Sequence, residues 1–577
     1  MEQEKKQIYF HSSAHILAQA VKEIFYDVKL GIGPAINEGF YYDFDKEISF
    51  TSEDLLQIEN KMNEIIKANL KIEKSTLSKN EALEFFKDEH YKIELIKEIE
   101  DEVVSIYKQG NFVDLCKGPH LQNTGEVKVI KLLSVAGAYW KGNEKNKMLQ
   151  RIYGSAFETE QEKELYLKKL EEIKNRDHRK LGDNLDLFSI HPQKAGSGLI
   201  FWHPNLSIVR QEIENFWKKE HYKKGYQLVY TPHIAKIDIW EKSGHLDFYK
   251  ENMFSPIDID KQKYILKPMN CPFHVLIYQT KTRSFRDLPI KYAELGTVYR
   301  YEKSGVLHGM LRVRGFTQDD AHIFCTKEQL KSEIEKVIEL AEYILKTFGY
   351  KEYNVYLSTR PEKYIGTLEI WDLATSSIEQ ALKEQKIKYE IDAGEGVFYG
   401  PKIDIKVMDA VGREWQGPTI QVDFNFPQKF NVEYINSQNQ SEQVVMIHRT
   451  VMGAMERFIG GLIEHYKGAF PVWLAPVQVV ILPITDNQIE YAKKIESILK
   501  ENDFRVIIDL EKEKLGFKIR KAQLQKIPYM LVIGNNELNS NNVSVRLRTE
   551  ENLGAMTLEE FIKIGEKVIK NKSLELM

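Results

Sequence analysis

A chain of 577 residues is too long for one hydrophobic core and, at roughly 100 to 200 residues per domain, divides into several. Apolar residues make up 42% and charged residues 29%, with 28 Phe, 29 Tyr and 7 Trp, which supports real cores and excludes a disordered or fibrous chain. Lysine and arginine number 81 against 85 acidic residues, a net charge of −4; that excludes a uniformly basic nucleic-acid coat, so any nucleic acid is met by local patches.

Residues 9 to 25, YFHSSAHILAQAVKEIF, repeat apolar residues at helical spacing, and strand-like pieces such as GFYYDF and FVDLCKG follow. Residues 1 to 153 are expected to form one α+β domain. On the helix His11 and His15 lie four apart and share a face. Cys116 and His120 recur at that spacing in VDLCKGPHL, where Gly118 and Pro119 argue for a loop. Two such pairs in one domain point to a hydrolytic or metal site, and the residue types suit a Cys/His₃ zinc centre. The plain alternative is a buried histidine pair and an ordinary core thiol.

The segment FETEQEKELYLKKLEEIKNRDHRKLG, 157 to 182, carries Tyr166, Leu170 and Ile173 as an i, i+4, i+7 stripe in an otherwise charged run ending at Gly182. It predicts a connecting helix. From about 190 to 470, strand-like runs (YQLVYTP, KYAELGTVYRY, DAHIFC, TIQVDFNF) mix with helical runs around 205 to 222 and 327 to 348. No βαβ rhythm with a Gly-rich phosphate turn is present, so an antiparallel α+β domain is expected.

Two constellations in this region carry chemistry. Cys271 follows KPMN, His322 sits in TQDDAHIFC and His448 in VVMIHRTVMG; a thiolate and two imidazoles make a three-ligand zinc set with a position left open. Arg300 and Glu302 in TVYRYEKSG, Arg312 in LHGMLRVRGF and Arg457 in MGAMERFIGG offer planar, permanently charged donors for polyphosphate where no Gly-rich loop exists. Surface arginines paired with Glu302 and Glu456 are the alternative.

After prolines near 471 to 476 come VQVVILPI, a helix at 487 to 502, FRVIIDL, a helix near 515 to 525, and YMLVIG, a small α/β domain. Lys512, Lys514, Lys518, Arg520, Lys521 and Lys526 meet only Glu513 between them in sequence. Such a run is either a solvated helix face or a nucleic-acid footprint. Three cysteines, Cys116, Cys271 and Cys325, are too few for a disulfide framework and fit the reducing cytoplasm. The first ten residues carry no apolar run of signal-peptide length, and the stretch from 470 to 484 is broken by Pro471, Pro476 and Pro483, so no membrane partner is expected.

TVYRYEKSGVLHGMLRVRGFTQDDAHIFC, KPMNCPFH, FYGPKIDIKV, WQGPTIQVDFNFP and MIHRTVMGAMERFIGGLIEHYKGAFPVWLAPVQV closely resemble the threonyl-tRNA synthetases, class II aminoacyl-tRNA synthetases. GFYYDFD, NFVDLCKGPH and NRDHRKLG resemble that family's editing domain and linker, so the resemblance covers essentially the whole chain. It implies an α+β multidomain architecture: an editing domain over 1–153, a linker helix over 154–189, an antiparallel-sheet catalytic core over 190–470, and an α/β anticodon-binding domain over 471–577. The implied reaction is ATP-dependent activation of L-threonine, its transfer to tRNA(Thr), and hydrolysis of mischarged seryl-tRNA.

The same resemblance implies residue roles. The stretch from 205 to Pro232 looks like the first class II signature, which builds a homodimer. Arg300 is expected on the ATP α-phosphate and the threonine carboxylate, Glu302 at the adenine end and Arg457 on the γ-phosphate, with Lys402 as a further catalytic group and Mg²⁺ accompanying ATP. GAMER keeps the arginine without the full alternating glycines of the class. Met269, Arg312, Gln318, Asp320, Tyr399 and Gln421 occupy positions resembling the substrate pocket, with one Zn²⁺ on Cys271, His322 and His448. His11, His15, Cys116 and His120, with Tyr42, Lys92 and Asp114, resemble the editing site. There the residue types favour zinc, whereas the family implies an activated water without metal; a similar set binds zinc in the related alanyl editing domain. Glu537 and Arg546 sit where anticodon bases are expected. One departure is that bacterial members commonly begin with a small extra domain, and this chain starts almost directly at the editing domain. A non-catalytic relative would be expected to have lost Arg300, Glu302 or Arg457, and all three are present.

Overall fold

The helix expected from YFHSSAHILAQAVKEIF runs from Gln3 to Ile24 in the computed structural model, which describes residues 3–577. Phe10, Ala14, Leu17, Ala18 and Val21 form its buried face, at the period a helix packed on a sheet requires. That sheet runs in the order Lys29–Leu30, Gly39–Asp45, Met148–Phe157, Val129–Tyr139. A second helix, Ser52–Lys67, starts at a capping box in which Thr51 and Asp54 satisfy each other's backbone N–H groups. A separate three-stranded sheet, Ile72–Ser78, Val103–Gln109 and Phe112–Leu115, ends directly before Cys116. The loop beyond it requires Gly118: φ is +74°, and a Cβ there would meet the Tyr107 hydroxyl at 2.0 Å.

The charged segment forms the helix Glu160–Arg176, with no buried residue. The chain divides within it into two units, one up to Glu171 and one from Glu172 to Met577. A short helix, His178–Asn184, follows, capped by Asp177.

The second unit is built on an eight-stranded sheet in the order Gln227–Leu228, Ile290–Tyr299, Gly315–Cys325, Val445–Thr450, Glu414–Asp423, Lys402–Met408, Tyr353–Ser358, Glu390–Asp392. The pairings at its two edges are parallel and the inner ones antiparallel. Ala321, Ile323, Cys325, Ile447, Ile420, Val422, Ile403 and Ile405 point to one face and are buried. The helices Pro204–Lys223, Leu330–Thr347, Leu368–Glu384 and Met455–Tyr466 contribute to the same core. Side chains alternate along a strand, so the intervening residues, Gln318, Asp320, His322, Gln421 and His448, are left on the other face.

The C-terminal sheet has the order Val506–Ile508, Val479–Pro483, Tyr529–Ile533, Asn542–Leu547, Asn552–Thr557. Its first three strands are parallel and its last two antiparallel. The expected break at 470/471 is a shared seam: Phe470, Trp473 and Leu474 pack into the larger core and Val472 into the smaller one. Arg505 reaches back to Glu212 at 2.9 Å, and Arg548 donates to the carbonyls of Phe470 and Ala469. Among the described residues no helix is long and apolar enough to cross a membrane.

Candidate functional site

The polar face of the eight-stranded sheet carries a row of side chains fixed by strand register. His322 pairs with His448, His448 with Gln421, and Gln421 with Lys402, on four adjacent strands. Cys271, the first residue of the helix Cys271–Tyr278, completes a buried trio whose ligand atoms lie within 4.8 Å of one another. The donor set fits zinc: one sulfur, two imidazoles, and ring nitrogens already sorted by their partners. His448 Nε2 is 3.1 Å from Asp423 Oδ2, and His322 Nδ1 is 2.8 Å from His274 Nδ1, which leaves the opposite nitrogens available to a metal.

A cavity of about 310 Å³ opens beside the trio, lined also by Met269, Arg300, Gln318, Asp320, Tyr399 and Gln421. Asn270 donates to Asp320 Oδ2 at 3.0 Å, and Tyr399 donates to Gln421. Burial pushes the Asp320 carboxyl above its ordinary value, against the pull of His274 and Asn270. A second cavity of about 450 Å³ shares Arg300, Gln318 and Gln421 and adds Glu302, Arg312 and Arg457. Arg457 comes from the first turn of the helix Met455–Tyr466, its Nε buried without a hydrogen-bond partner. Burial first, and Arg300 second, pull its guanidinium down to about 10. Among the described residues no carboxylate pairs with Arg300 or Arg457, so their charge is left to face the cavity, which suits an anion. Gly453, with φ +79°, leaves room beside Arg457 Nη2 that a Cβ would narrow to 3.0 Å.

Arg312 pairs with Glu302 at 2.9 Å, as the surface-arginine alternative has it, while also lining the second cavity; Arg457 is not paired with Glu456. Glu456 instead accepts from the Thr317 N–H. Lys402 keeps its place in the row but donates to Asp404 at 2.7 Å and lines neither cavity. Sequence reasoning missed His245, whose Nε2 is 3.0 Å from Met269 Sδ, and Tyr249 and Phe398, which line the first cavity. It also missed His274, although three residues after Cys271 on a helix is a spacing that places both on one face.

In the first unit His11, His15, Cys116 and His120 come together. Cys116 Sγ lies 3.3 Å from His11 Nε2 and 3.2 Å from His120 Nε2. Ser12 Oγ, 3.2 Å from His120 Nδ1, donates its one proton to the Ile8 carbonyl at 2.9 Å. His120 Nδ1 must therefore be the donor to Ser12, which leaves Nε2 as an acceptor facing Cys116. Burial pushes the Cys116 thiol up to about 11 and, with His15 and His11 adding to it, pulls His120 down to about 2. His11 and His15 are also lowered by burial. At neutral pH the group is uncharged, able to orient a water or hold a metal that displaces the thiol proton. Against it stands a charged set: Lys92 Nζ 2.6 Å from Asp114 Oδ1, Tyr42 donating to Asp114 Oδ2 at 2.6 Å, and Lys92 donating to Tyr42 at 2.9 Å.

The C-terminal residues are less committed to a site. Glu537 accepts from the Gly534 N–H at 2.9 Å and caps the helix Asn535–Ser540. Arg546 is half-buried on the strand Asn542–Leu547. The basic run is divided by the fold: Lys518 is buried and donates to the carbonyls of Pro483 and Asp509, while Lys521 pairs with Glu511. It is therefore not one continuous positive face, because Lys518 turns inward and Glu511, just before the run, meets Lys521.

Residues 252–466 match the tRNA synthetase class II core domain (G, H, P, S and T), 478–567 an anticodon binding domain, and 104–153 the threonyl and alanyl tRNA synthetase second additional domain. The chain is 56% identical to the threonine–tRNA ligase of Dehalococcoides mccartyi over 99% of its own length and 98% of the relative's. It is 56% identical to that of Caldanaerobacter subterraneus subsp. tengcongensis, over 99% and 89%. The crystal structure of the RNA binding domain of threonyl-tRNA synthetase from Cryptosporidium parvum Iowa II superposes with a TM-score of 0.66 at 38% identity, covering 68% of this chain and 98% of that one.

Proposed function

Because this chain belongs to the threonine–tRNA ligase family, we propose that it activates L-threonine with ATP, transfers it to tRNA(Thr), and hydrolyses mischarged seryl-tRNA(Thr). The observation that carries the reading is the pair of guanidiniums, Arg300 and Arg457, that no carboxylate among the described residues neutralises, beside the Cys271, His322 and His448 trio.

The threonine carboxylate attacks the ATP α-phosphorus, a P–O bond forms, and the bond to pyrophosphate breaks; a ribose hydroxyl of the terminal adenosine then takes the threonyl group and AMP leaves. Displacement at phosphorus calls for positioning and charge neutralisation rather than an enzyme nucleophile. Arg300 lines both cavities, so it spans carboxylate and α-phosphate, while Arg457 takes the far end of the polyphosphate, with Mg²⁺ sharing its charge. Glu302, held by Arg312, faces the adenine end.

Cys271, His322 and His448 would hold a zinc ion, which would supply Lewis-acid coordination for the substrate's polar groups. Valine lacks the hydroxyl and leaves a built polar site unsatisfied, which rejects it far more strongly than an apolar pocket could. Serine lacks only a methyl, worth roughly 1–3 kcal/mol or about 10- to 200-fold, so it passes and a second, hydrolytic site is required. Residues 1–153 provide it: the neutral His11, His15, Cys116 and His120 group orients a water without metal, and Lys92 with Asp114 and Tyr42 holds the ester's polar end. Residues 154–189 link this domain to the catalytic domain, 190–470, and residues 471–577 read the anticodon through Glu537 and Arg546. The protein works as a cytoplasmic homodimer.

The test is amino-acid-dependent ATP–pyrophosphate exchange with threonine, serine and valine, on enzyme whose zinc is quantified before and after chelation. Exchange with threonine, weaker with serine, absent with valine and lost on chelation is expected. No exchange on folded, zinc-loaded protein would overturn the assignment.

A further inference from the structure

Behind the metal-ligating trio a buried chain of polar groups runs away from the cavity. His322 Nδ1 is 2.8 Å from His274 Nδ1, His274 Nε2 is 3.3 Å from Glu294 Oε2, and the Thr231 N–H donates to Glu294 Oε1 at 2.7 Å. Lys267 Nζ donates to Thr231 Oγ1 at 2.8 Å, so the Thr231 hydroxyl proton turns to Glu294 Oε2, also at 2.8 Å. His274, Glu294 and Lys267 are all buried.

The fixed donors and acceptors around this chain give it a direction. An ammonium and a backbone N–H only donate, and an ionised carboxylate only accepts. Despite burial, Glu294 is held below its ordinary value by His274, Lys267 and Thr231. Facing the Glu294 carboxylate at 3.3 Å, His274 Nε2 is the donor, and its Nδ1 lone pair is turned to His322. Two ring nitrogens 2.8 Å apart share one proton, so His322 carries it on Nδ1 and its lone pair is on Nε2. The opposite polarity would put a hydrogen on the only ring nitrogen of His322 left for a metal.

We propose that the His274–Glu294 relay fixes the tautomer of His322 and so sets the zinc affinity of the Cys271, His322 and His448 site, with Thr231 and Lys267 locking the relay's direction. This rests on the reading of that site as a zinc centre. His274 and Glu294 are positioning residues, acting through His322.

An isosteric change provides a sharp test. In Glu294→Gln the Thr231 N–H holds the amide oxygen at the Oε1 position, so the amide NH₂ faces His274 Nε2 and reverses the relay. In His274→Gln the oxygen can accept from His322 and the amide can donate to Glu294, so the polarity is kept. Zinc affinity and release rate are measured on the full chain by competition with a chromophoric chelator, with thermal unfolding of each zinc-free variant as the control for folding. Glu294→Gln and His274→Ala are expected to weaken zinc roughly 10- to 100-fold, His274→Gln to stay near wild type, and the Glu294→Gln/His274→Ala double variant to be no weaker than His274→Ala alone. Wild-type affinity in Glu294→Gln and His274→Ala, or full additivity in the double variant, would overturn the relay. A wild-type chain that binds no zinc would instead overturn the zinc reading beneath it.

Discussion

Lys92 Nζ lies 2.6 Å from Asp114 Oδ1 with each side chain only 2% exposed, a fully buried ion pair beside three neutral imidazoles. Removing one partner strands the other charge, which costs about 3–5 kcal/mol. Lys92→Met is expected to lower hydrogen-exchange protection of the strand Val103–Gln109 and abolish hydrolysis of seryl-tRNA, with threonine-dependent pyrophosphate exchange unchanged. Lys92→Met/Asp114→Asn, which strands no charge, is expected to recover most of the protection but not the hydrolysis. Equal protection in wild type and Lys92→Met would contradict the claim that this pair is energetically coupled.

Zinc stoichiometry separates the two Cys/His clusters. Both bring their ligand atoms within 4.8 Å and burial raises both thiols, but the first cluster already turns ring nitrogens of His11 and His120 onto its own thiol, at 3.3 and 3.2 Å. One zinc per chain is expected by elemental analysis, falling to none in Cys271→Ala and staying at one in Cys116→Ala. Two per chain would reassign the first cluster as a metal centre.

Arg457 is held in place against the stability of the fold. Its buried Nε has no partner, and an unsatisfied buried donor costs about 1–3 kcal/mol. Arg457→Met is expected to raise the melting temperature of the ligand-free protein while cutting threonine activation by about 10²–10³-fold, the loss typical of a preorganised charge-stabilising donor. Calorimetry and exchange kinetics on the same sample decide the point; a destabilised variant would show that Arg457 is structural.

The first unit should lose stability in acid. Burial depresses His11, His15 and His120, whereas the unfolded chain titrates them near 6.5. Below that value the unfolded state binds the protons and the folded state does not. The stability they confer is complete above pH 6.5 and falls with decreasing pH, by up to about 1.4 kcal/mol per pH unit for each imidazole. Denaturant unfolding at pH 7.5, 6.5 and 5.5 measures the slope. His120→Gln is expected to make it shallower, and an unchanged slope would exclude His120 as a contributor.

Sequence by itself determined the local elements and nominated the residues that could carry chemistry. Helical periodicity over YFHSSAHILAQAVKEIF placed His11 and His15 on one face, and the charged run after residue 157, with its Tyr166, Leu170 and Ile173 stripe, read as a connecting helix. Residue type alone nominated Cys271, His322 and His448, since a thiol and imidazoles announce their ligand chemistry wherever they occur. Tertiary structure decided proximity and polarity. Strand register put His322, His448 and Gln421 in one row, and no spacing along the chain encodes a pairing across more than a hundred residues. Packing also separated Arg457, whose buried Nε has no partner among the described residues, from Arg312, neutralised by Glu302, and dispersed a basic run that looked continuous. The direction of the His274–Glu294 relay is decided last of all. It depends on which groups around it can only donate, and those neighbours, Thr231 and Lys267, are gathered by the fold from separate stretches of the chain.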